Sequence, residues 1–302
     1  MRLRTKIILA LSVIILIPCI GVCWLAYTLL YRTPGEYFES NGARVYYTVQ
    51  GEGEPVILVH GIGANADLNW QRPGVIRTLA KDFTVIAFDL RGHGLTDKPV
   101  DPDQYGVRMA EDIVLLIDHL GYERAHLAGY SLGGFLALKA ATLYPDRIAS
   151  LAVCAAGWID PDYPIDVPSP YRPPVPTNYL KQVSQASVLP LFAASKSVFH
   201  RMRSAIGDHF MDPKVKKALK ATYNDLAVPK EDLLTLDMPM MSIIGSKDGF
   251  LYIARDLVAL KPEMESFEID NYGHFSLPFN REFKEHLRAF FHKHPIQEPA
   301  AQ

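Results

Sequence analysis

The sequence predicts an α/β protein with a mostly parallel, doubly wound sheet. From about residue 37 onward, short apolar runs of strand length alternate with longer segments of helical periodicity. This alternation is typical of a parallel sheet with helices on both faces. The run 56–59 is continuously apolar, as expected of a strand that is buried on both sides.

These patterns locate the strands and helices in order along the chain. The predicted strands are residues 44–50, 55–60, 83–89, 125–129, 148–154, 240–245 and 266–270. The predicted helices are residues 109–120 and 132–144, and a further helix closes the chain after about residue 275. Pro145 ends the second helix, because proline cannot continue one.

One region interrupts the alternation. Residues 158–237 open with a proline-rich stretch, continue with helical patterns and contain no evident strand pattern. The helical patterns cover residues 179–206, 213–224 and 230–236. We therefore predict a helical insertion at 158–237, flanked by two parts of the α/β core at 36–157 and 238–295. Residues 1–35 form a separate N-terminal segment.

The N-terminal segment has the pattern of a membrane anchor. Residues 7–31 contain no charged residue and follow a basic stretch that begins at Arg2. An apolar helix of this length can cross a bilayer core of about 30 Å, and the basic flank favours a cytoplasmic N-terminus. We therefore predict an uncleaved signal anchor, a single-pass transmembrane helix that holds the catalytic domain outside the cytoplasm, in the periplasm or the extracellular space.

Three alternatives to the anchor are weighed. A cleaved signal peptide normally has a shorter apolar region and a small-residue cleavage site, and no convincing site is present. A lipid-modified Cys19 or Cys23 would need a bacterial lipobox, which the preceding residues fit poorly. A buried core helix is disfavoured because such a helix rarely runs this long without a polar face.

The composition excludes several other classes. The chain has 302 residues, with 31 Lys and Arg against 33 Asp and Glu and a formal net charge of −2. Nucleic-acid-binding proteins normally present a basic face, so we predict no nucleic-acid partner. Three cysteines are too few for a disulfide scaffold, and Cys154, in an apolar run, is expected to be a buried thiol. The oligomeric state is left open.

The most informative motif is Gly129-Tyr130-Ser131-Leu132-Gly133. It matches G-x-S-x-G directly after a predicted strand and directly before a predicted helix, which is the context of a nucleophile elbow. The glycines leave room for a sharp turn that raises the Ser131 side chain above the sheet edge. Ser131 is therefore the candidate nucleophile, and the N–H of Leu132 opens the following helix at its positive end.

A second loop supplies a candidate partner for that N–H group. His60-Gly61-Ile62-Gly63 follows the predicted strand 55–60, and the glycine-bearing turn can direct the Ile62 N–H toward Ser131. The N–H groups of Ile62 and Leu132 would together form an oxyanion hole, in which each donor contributes about 3 kcal/mol of transition-state stabilisation. We interpret His60 as a structural residue that holds this loop.

A serine hydroxyl needs an adjacent base to act as a nucleophile. His274 is the best candidate base, because it lies in a glycine-bearing loop between the last predicted strand and the C-terminal helix. Asp248, in the loop after the strand 240–245, is the candidate acid that orients the imidazole. Asp270 is the second candidate for the acid and Asp237 a distant third, since both stand close to strand ends.

With nucleophile, acid and base in this order, the chain resembles the α/β-hydrolase superfamily over about residues 37–292. The segment Phe88-Asp89-Leu90-Arg91-Gly92-His93-Gly94 is similar to the D-x-R-G-x-G turn of many members. The resemblance implies that the insertion 158–237 is a helical cap over the active site. It also implies that Asp89, Arg91 and His93 are structural loop residues.

The identity of the nucleophile narrows the expected chemistry. Dehalogenases and epoxide hydrolases of this superfamily carry aspartate at the elbow, whereas Ser131 points to acyl transfer. We therefore expect a serine hydrolase that cleaves small-molecule carboxylic esters through an acyl-enzyme intermediate. A monoacylglycerol-type lipase, a C–C bond hydrolase, a perhydrolase and a non-catalytic ligand-binding member of the fold are the alternatives. No metal-binding motif or dinucleotide fingerprint is visible in the sequence, so we predict no cofactor and no metal.

Overall fold

The computed structural model describes residues 16, 19, 20, 31–161 and 211–296. Within these residues, eight strands form one sheet. The strands are β1 Glu36–Ser40, β2 Ala43–Gln50, β3 Glu54–Val59, β4 Phe83–Phe88, β5 Ala125–Tyr130, β6 Ile148–Cys154, β7 Met240–Gly245 and β8 Glu265–Ile269.

The sheet is mixed and mostly parallel. Its strand order is β1-β2-β4-β3-β5-β6-β7-β8. The pairs β1–β2 and β2–β4 are antiparallel, and every other neighbouring pair is parallel. The predicted α/β class with a mostly parallel sheet is therefore confirmed.

β1 is a strand that the patterns above do not predict. Ser40 of β1 pairs with Ala43 of β2, so Asn41 and Gly42 alone form the turn, with φ of 43° and 81°. Two-residue hairpins favour Asn-Gly because their central residues need positive φ. The Asn-Gly dipeptide is thus the sequence signal for this hairpin, which adds an edge strand to the predicted sheet.

The described residues contain seven α-helices. They are α1 Val75–Leu79, α2 Val107–His119, α3 Leu132–Leu143, α4 Pro213–Ala221, α5 Lys230–Leu234, α6 Leu251–Leu260 and α7 Arg281–Lys293. α2 and α3 lie close to their predicted bounds, whereas α1 and α6 are not predicted. With five residues, α1 is too short to display a helical period.

The side chains of β3 alternate between two apolar cores. Ile57 and Val59 pack in a cluster with buried residues of α2 and α3. Val56 and Leu58 pack in a second cluster with buried residues of α1 and α7. Because successive side chains of a strand point to opposite faces, helices cover both faces of this central strand, as its continuous apolar sequence predicts.

Both described ends of the predicted insertion 158–237 pack on the α/β core. Trp158 is buried in the apolar cluster that contains α2 and α3, and its indole Nε1 donates to the Val228 carbonyl oxygen at 2.7 Å, which joins the two ends to each other. Val215 of α4 is buried in the same cluster as α2 and α3. Residues 162–210 lie outside the described residues, so the division between core and cap stays a prediction.

The predicted membrane segment also lies almost entirely outside the described residues. Of residues 7–31, the structure describes only 16, 19, 20 and 31. In the part of the chain that the structure describes, no helix has both the length and the apolar character needed to cross a membrane.

Candidate active site

β5 passes into α3 at Ser131, which caps the helix with φ of 55° and ψ of −120°. A residue other than glycine in this region of backbone space is strained, and such strain is concentrated at functional sites. The Ser131 N–H donates to the Cys154 carbonyl oxygen at 2.9 Å, which holds the strained residue against β6. The elbow that the sequence predicts is therefore present at its predicted place.

The two glycines of the motif are required by close main-chain packing. A Cβ atom on Gly129 would lie 2.0 Å from the Gly133 carbonyl oxygen. A Cβ atom on Gly133 would lie 2.2 Å from the Val59 carbonyl oxygen. Both distances are far inside van der Waals contact, so any side chain at either position would push the elbow away from β3 and β5.

The structure brings Ser131, His274 and Asp248 together in one hydrogen-bonded line. The His274 Nε2 atom lies 2.9 Å from Ser131 Oγ. The His274 Nδ1 atom lies 2.9 Å from Asp248 Oδ2 and 3.1 Å from Oδ1. The buried carboxylate accepts a hydrogen bond from Nδ1–H, so Nε2 carries no proton and can accept that of the serine hydroxyl.

The acid and the base lie in loops that hold each other in place. Both loops follow the carboxyl ends of parallel strands, β7 and β8, and such ends meet at one edge of the sheet. The Lys247 N–H donates to the Tyr272 carbonyl oxygen at 2.9 Å. The Phe250 N–H donates to Asp248 Oδ1 at 3.0 Å, so a main-chain donor helps to orient the carboxylate toward the imidazole.

The two lower-ranked acids lie elsewhere. Asp270 is exposed directly after β8, and the His274 Nδ1 atom bonds to Asp248 instead. Asp237 is exposed just before β7, at the end of that strand opposite to the one that leads to Asp248. Of the three candidate acids, Asp248 is therefore the one that bonds the imidazole.

The loop after β3 packs directly on the nucleophile. A Cβ atom on Gly61 would lie 3.1 Å from the Ser131 Cβ atom, and the Gly61 N–H donates to Asn69 Oδ1 at 3.0 Å. Neither the Ile62 N–H nor the Leu132 N–H donates a hydrogen bond to another described residue. Ile62 follows Gly61, and Leu132 follows Ser131, so the two predicted donors belong to segments that pack on each other, and the oxyanion hole stays a prediction.

The turn after β4 is held by buried ionic groups. The Arg91 guanidinium makes two hydrogen bonds to the Asp112 carboxylate, at 2.7 and 2.8 Å, and both side chains are fully buried. Asp89 accepts the main-chain N–H groups of Ala66 and Leu95, at 2.9 and 2.8 Å. Both residues fix loops next to the site, as the resemblance implies.

His60 and His93 are buried within the same group of loops. The His60 ring donates to the Gly61 carbonyl oxygen at 2.8 Å and accepts the Leu90 N–H at 2.9 Å. This pairing leaves no ring nitrogen of His60 for proton transfer and agrees with a structural role. Burial lowers the pKa of His93 to about 3, so that imidazole stays neutral at any physiological pH.

Two contacts of the site are not predicted from the sequence. The Tyr130 hydroxyl donates to the His274 carbonyl oxygen at 2.6 Å, and Asn69 holds Gly61. Tyr130 occupies the variable position of the elbow motif, and Asn69 lies in a short helical turn, Asp67–Gln71. No spacing rule links either residue to its partner, because each contact depends on the tertiary fold.

Among the residues that the structure describes, no group of three or more His, Cys, Asp or Glu side chains could hold a metal ion. The expectation of a reaction without metal or cofactor stays a prediction.

The site combines an elbow serine on a mostly parallel sheet with an acid and a base in the loops after two later strands. This arrangement is typical of α/β hydrolases. A family model described as the alpha/beta hydrolase fold matches residues 54–280. The chain belongs to this family.

Comparison with known proteins gives relatives of several activities. The chain is 38% identical over 117 residues to the dihydrolipoyllysine-residue acetyltransferase component of the acetoin cleaving system of Pseudomonas putida, a match covering 38% of this chain and 30% of the relative. It is 41% identical over 109 residues to a fluoroacetate dehalogenase of a Burkholderia species, a match covering 35% of each chain. The chain thus spans about a third of the length of the curated relatives it matches.

A solved structure extends the likeness over most of the chain. Est816, described as an N-acyl homoserine lactone degrading enzyme, is similar with a TM-score of 0.65 and 22% sequence identity. The match covers 84% of this chain and 100% of Est816. At this identity the likeness establishes the fold alone.

Proposed function

We propose that the protein is a serine hydrolase that cleaves carboxylic esters through an acyl-enzyme intermediate. The observation that carries the proposal is the line of hydrogen bonds from Ser131 Oγ to His274 Nε2 at 2.9 Å and from His274 Nδ1 to Asp248 at 2.9 Å. Asp248 holds the imidazole in the tautomer that can accept a proton and stabilises the imidazolium that forms.

The proposed reaction has two halves. His274 takes the hydroxyl proton of Ser131 as the oxygen attacks the ester carbonyl, and the N–H groups of Ile62 and Leu132 stabilise the oxyanion. The tetrahedral intermediate collapses as His274 returns the proton to the leaving alcohol, which leaves the acyl group on Ser131. Water, deprotonated by the same imidazole, then attacks the acyl carbon, and the acid departs as Ser131 regains its proton.

The nucleophile also argues against displacement at a saturated carbon, the chemistry in the name of the dehalogenase relative. An aspartate that displaces a halide forms an enzyme ester, which water can hydrolyse. A serine in the same role would form an ether, which water does not cleave under these conditions. Ser131 therefore favours a substrate with an electrophilic carbonyl.

Replacement of Ser131 tests the proposal. The S131A variant of the full chain should lose ester turnover by several orders of magnitude, since removal of one triad member disables the unit. The measurement is hydrolysis of a p-nitrophenyl ester, with labelling by a fluorophosphonate probe as a second readout. Labelling of the wild type but not of S131A is expected. Retained turnover in S131A, or a folded wild type that the probe leaves unlabelled, would refute the proposal and favour a non-catalytic ligand-binding protein.

A monoacylglycerol-type lipase is the second candidate, because one exposed apolar ring lies beside the candidate base and a second follows four residues later in the chain. Phe275 is 72% exposed and Phe279 60% exposed, and the Phe275 ring centroid lies 5.4 Å from that of His274. Such rings suit contact with long acyl chains. A C–C bond hydrolase or a perhydrolase would use the same triad, and no feature of the described residues favours either.

Acyl-chain length separates the two candidates. An esterase should give its highest kcat/KM on short and medium acyl p-nitrophenyl esters and lose activity on long-chain monoacylglycerols. A lipase should show the reverse order. The F275A variant provides the matched control: if the exposed ring contacts long chains, the variant should lose activity on the long substrate while it keeps activity on the short one.

We also propose that residues 7–31 anchor the protein as a single-pass membrane helix, with the catalytic domain on the far side of the cytoplasmic membrane. The support is the uncharged stretch and its basic N-terminal flank, which are typical of a signal anchor. On this proposal the protein meets its ester substrate, including membrane-derived esters, outside the cytoplasm.

A further inference from the structure

Tyr130 connects the nucleophile elbow to the loop of the base. It immediately precedes Ser131, and its side chain is only 4% exposed. Its hydroxyl donates to the main-chain carbonyl oxygen of His274 at 2.6 Å, across 144 residues of sequence. The residue next to the candidate nucleophile therefore holds the backbone of the candidate base.

Aromatic packing fixes the position of the Tyr130 ring. Its centroid lies 5.9 Å from that of Trp70 and 6.2 Å from that of Phe283, both edge-on. Trp70 and Phe283 are themselves fully buried. The His274 ring lies 5.7 Å away, on a tilted plane. Held between buried rings, the phenol has little freedom to move its hydroxyl away from the His274 carbonyl.

The hydroxyl keeps its proton under all working conditions. Burial, together with the nearby carboxylate of Asp248, raises the pKa of Tyr130 well above its ordinary value. A phenol that stays protonated remains a donor, so the contact with the His274 carbonyl oxygen does not depend on pH in the range where an ester hydrolase works.

The loop that carries His274 is joined to the Asp248 loop by the Lys247 N–H bond to the Tyr272 carbonyl oxygen, two residues before His274, and the Tyr130 hydroxyl holds the main chain at His274 itself. Asn271 opens it with φ of 64°, and the Gly273 N–H donates to Ser276 Oγ at 3.1 Å. These features shape the loop from within, whereas Asp248 fixes the imidazole at Nδ1. A ring that is held at one nitrogen can still pivot about that bond, and its other nitrogen then leaves the reach of Ser131 Oγ.

We infer that Tyr130 is a positioning residue: its hydroxyl fixes the main chain at His274 so that the imidazole Nε2 stays within proton-transfer distance of Ser131 Oγ. The inference rests on the proposed function, because it assigns Tyr130 a part in the same reaction. Since the contact acts on the base and not on the substrate, its loss should lower kcat and leave KM nearly unchanged.

The chain offers a matched control for the Y130F variant, which removes only the hydroxyl. Tyr105 is 3% exposed, and its hydroxyl also donates to a main-chain carbonyl oxygen, that of Pro99. Y105F therefore deletes the same kind of bond from an equally buried tyrosine without touching His274. Any general effect of losing a buried hydroxyl should appear in both variants.

We expect Y130F to lower kcat for p-nitrophenyl ester hydrolysis by about 10- to 100-fold, because a displacement of about 1 Å at a reacting group can cost that much. KM should stay within about twofold, and the rate of fluorophosphonate labelling should fall in parallel with kcat. Y105F should keep both rates within about twofold of the wild type. Unchanged kcat in Y130F, or an equal loss in Y105F, would overturn the inference.

A spectroscopic readout separates failure of this inference from failure of the proposed function. If the wild type neither turned over esters nor reacted with the probe, the proposed function would fail. The ¹⁵N-NMR signals of the His274 ring would still test Tyr130. A single Nδ1–H tautomer in the wild type and in Y105F, with broadened or multiple ring signals in Y130F, is expected. The same His274 signals in all three proteins would refute the positioning role.

Discussion

Gly133 sets how closely the nucleophile can approach the sheet. It lies in the first turn of α3, where alanine would ordinarily be preferred over glycine by about 1 kcal/mol. The carbonyl oxygen of Val59 occupies the space that a Cβ atom would need, at 2.2 Å. The ordinary preference is therefore reversed at this one position, because the first turn of the helix is in contact with the backbone of β3.

The G133A variant should be less stable than the wild type, although alanine normally favours a helix over glycine. Overpacking of a filled interior costs about 1–3 kcal/mol and is relieved by backbone shifts, here a shift of the elbow itself. We expect a loss of unfolding free energy of about that size, measured by urea denaturation. In the fraction that stays folded, we also expect a fall of at least about tenfold in the fluorophosphonate labelling rate.

Gly121 provides the comparison. Its φ is 76° and no atom lies within 4 Å of an added Cβ, so G121A should cost about 1–2 kcal/mol through backbone strain alone. Labelling of Ser131 in G121A should remain at the wild-type rate. If G133A also labelled at that rate, close packing of the elbow on β3 would not control the position of the nucleophile.

At the scale of single elements, the strands that carry the site were predictable, including the edge strand β8, and only the opposite edge strand, β1, was not. β3, β5 and β7 are buried on both faces, so their apolar sequences stand out without any tertiary information. β8 alternates between exposed and half-buried positions before its buried last residue. β1 has the sequence EYFES, in which Tyr37 and Phe38 are adjacent and do not alternate with polar residues, so only the Asn41-Gly42 turn marks it.

The elements also explain which parts of the site could be found from sequence. Each member of the candidate triad, Ser131, Asp248 and His274, lies shortly after the end of a predicted strand. The carboxyl ends of parallel strands lie at the same edge of a sheet, so the three residues could be expected to lie close together. The bond from Tyr130 to the His274 carbonyl oxygen joins a strand end to a loop backbone. Such a bond depends on how the two elements pack in the tertiary structure, and no local sequence pattern predicts it.

At the scale of the whole molecule, the α/β core and the N-terminal segment have different sequence characters. The core has both sheet faces covered by buried apolar clusters, so it has the interior of a globular protein. Residues 7–31 contain no charged residue and follow a basic stretch, on which the proposal of a membrane anchor rests. The proposed arrangement is a catalytic domain tethered beside a bilayer.

Fractionation of cells that express the full chain tests the tether. We expect the protein to resist alkaline carbonate extraction, to require detergent for release, and to be digested by protease added from outside the cytoplasmic membrane. An L16R variant should insert poorly, because arginine near the centre of a membrane helix costs about 2.5–3.5 kcal/mol.

Intact mass identifies the alternatives to an anchor. A mass that lacks the first residues would reveal a cleaved signal peptide, and an added mass abolished by C19S or C23S would reveal a lipid. Either result, or recovery of the wild type in the carbonate-soluble fraction, would contradict a transmembrane anchor.

The position of the site along the sheet has a consequence for the growing polypeptide. Ser131 follows β5, whereas Asp248 and His274 follow β7 and β8, the last two strands in the described part of the chain to leave the ribosome. A nascent chain thus exposes its serine long before the groups that would activate it exist. On the proposed function, that hydroxyl has ordinary reactivity until β7 and β8 are synthesised and docked, and an unfinished chain cannot hydrolyse esters of the cell that makes it.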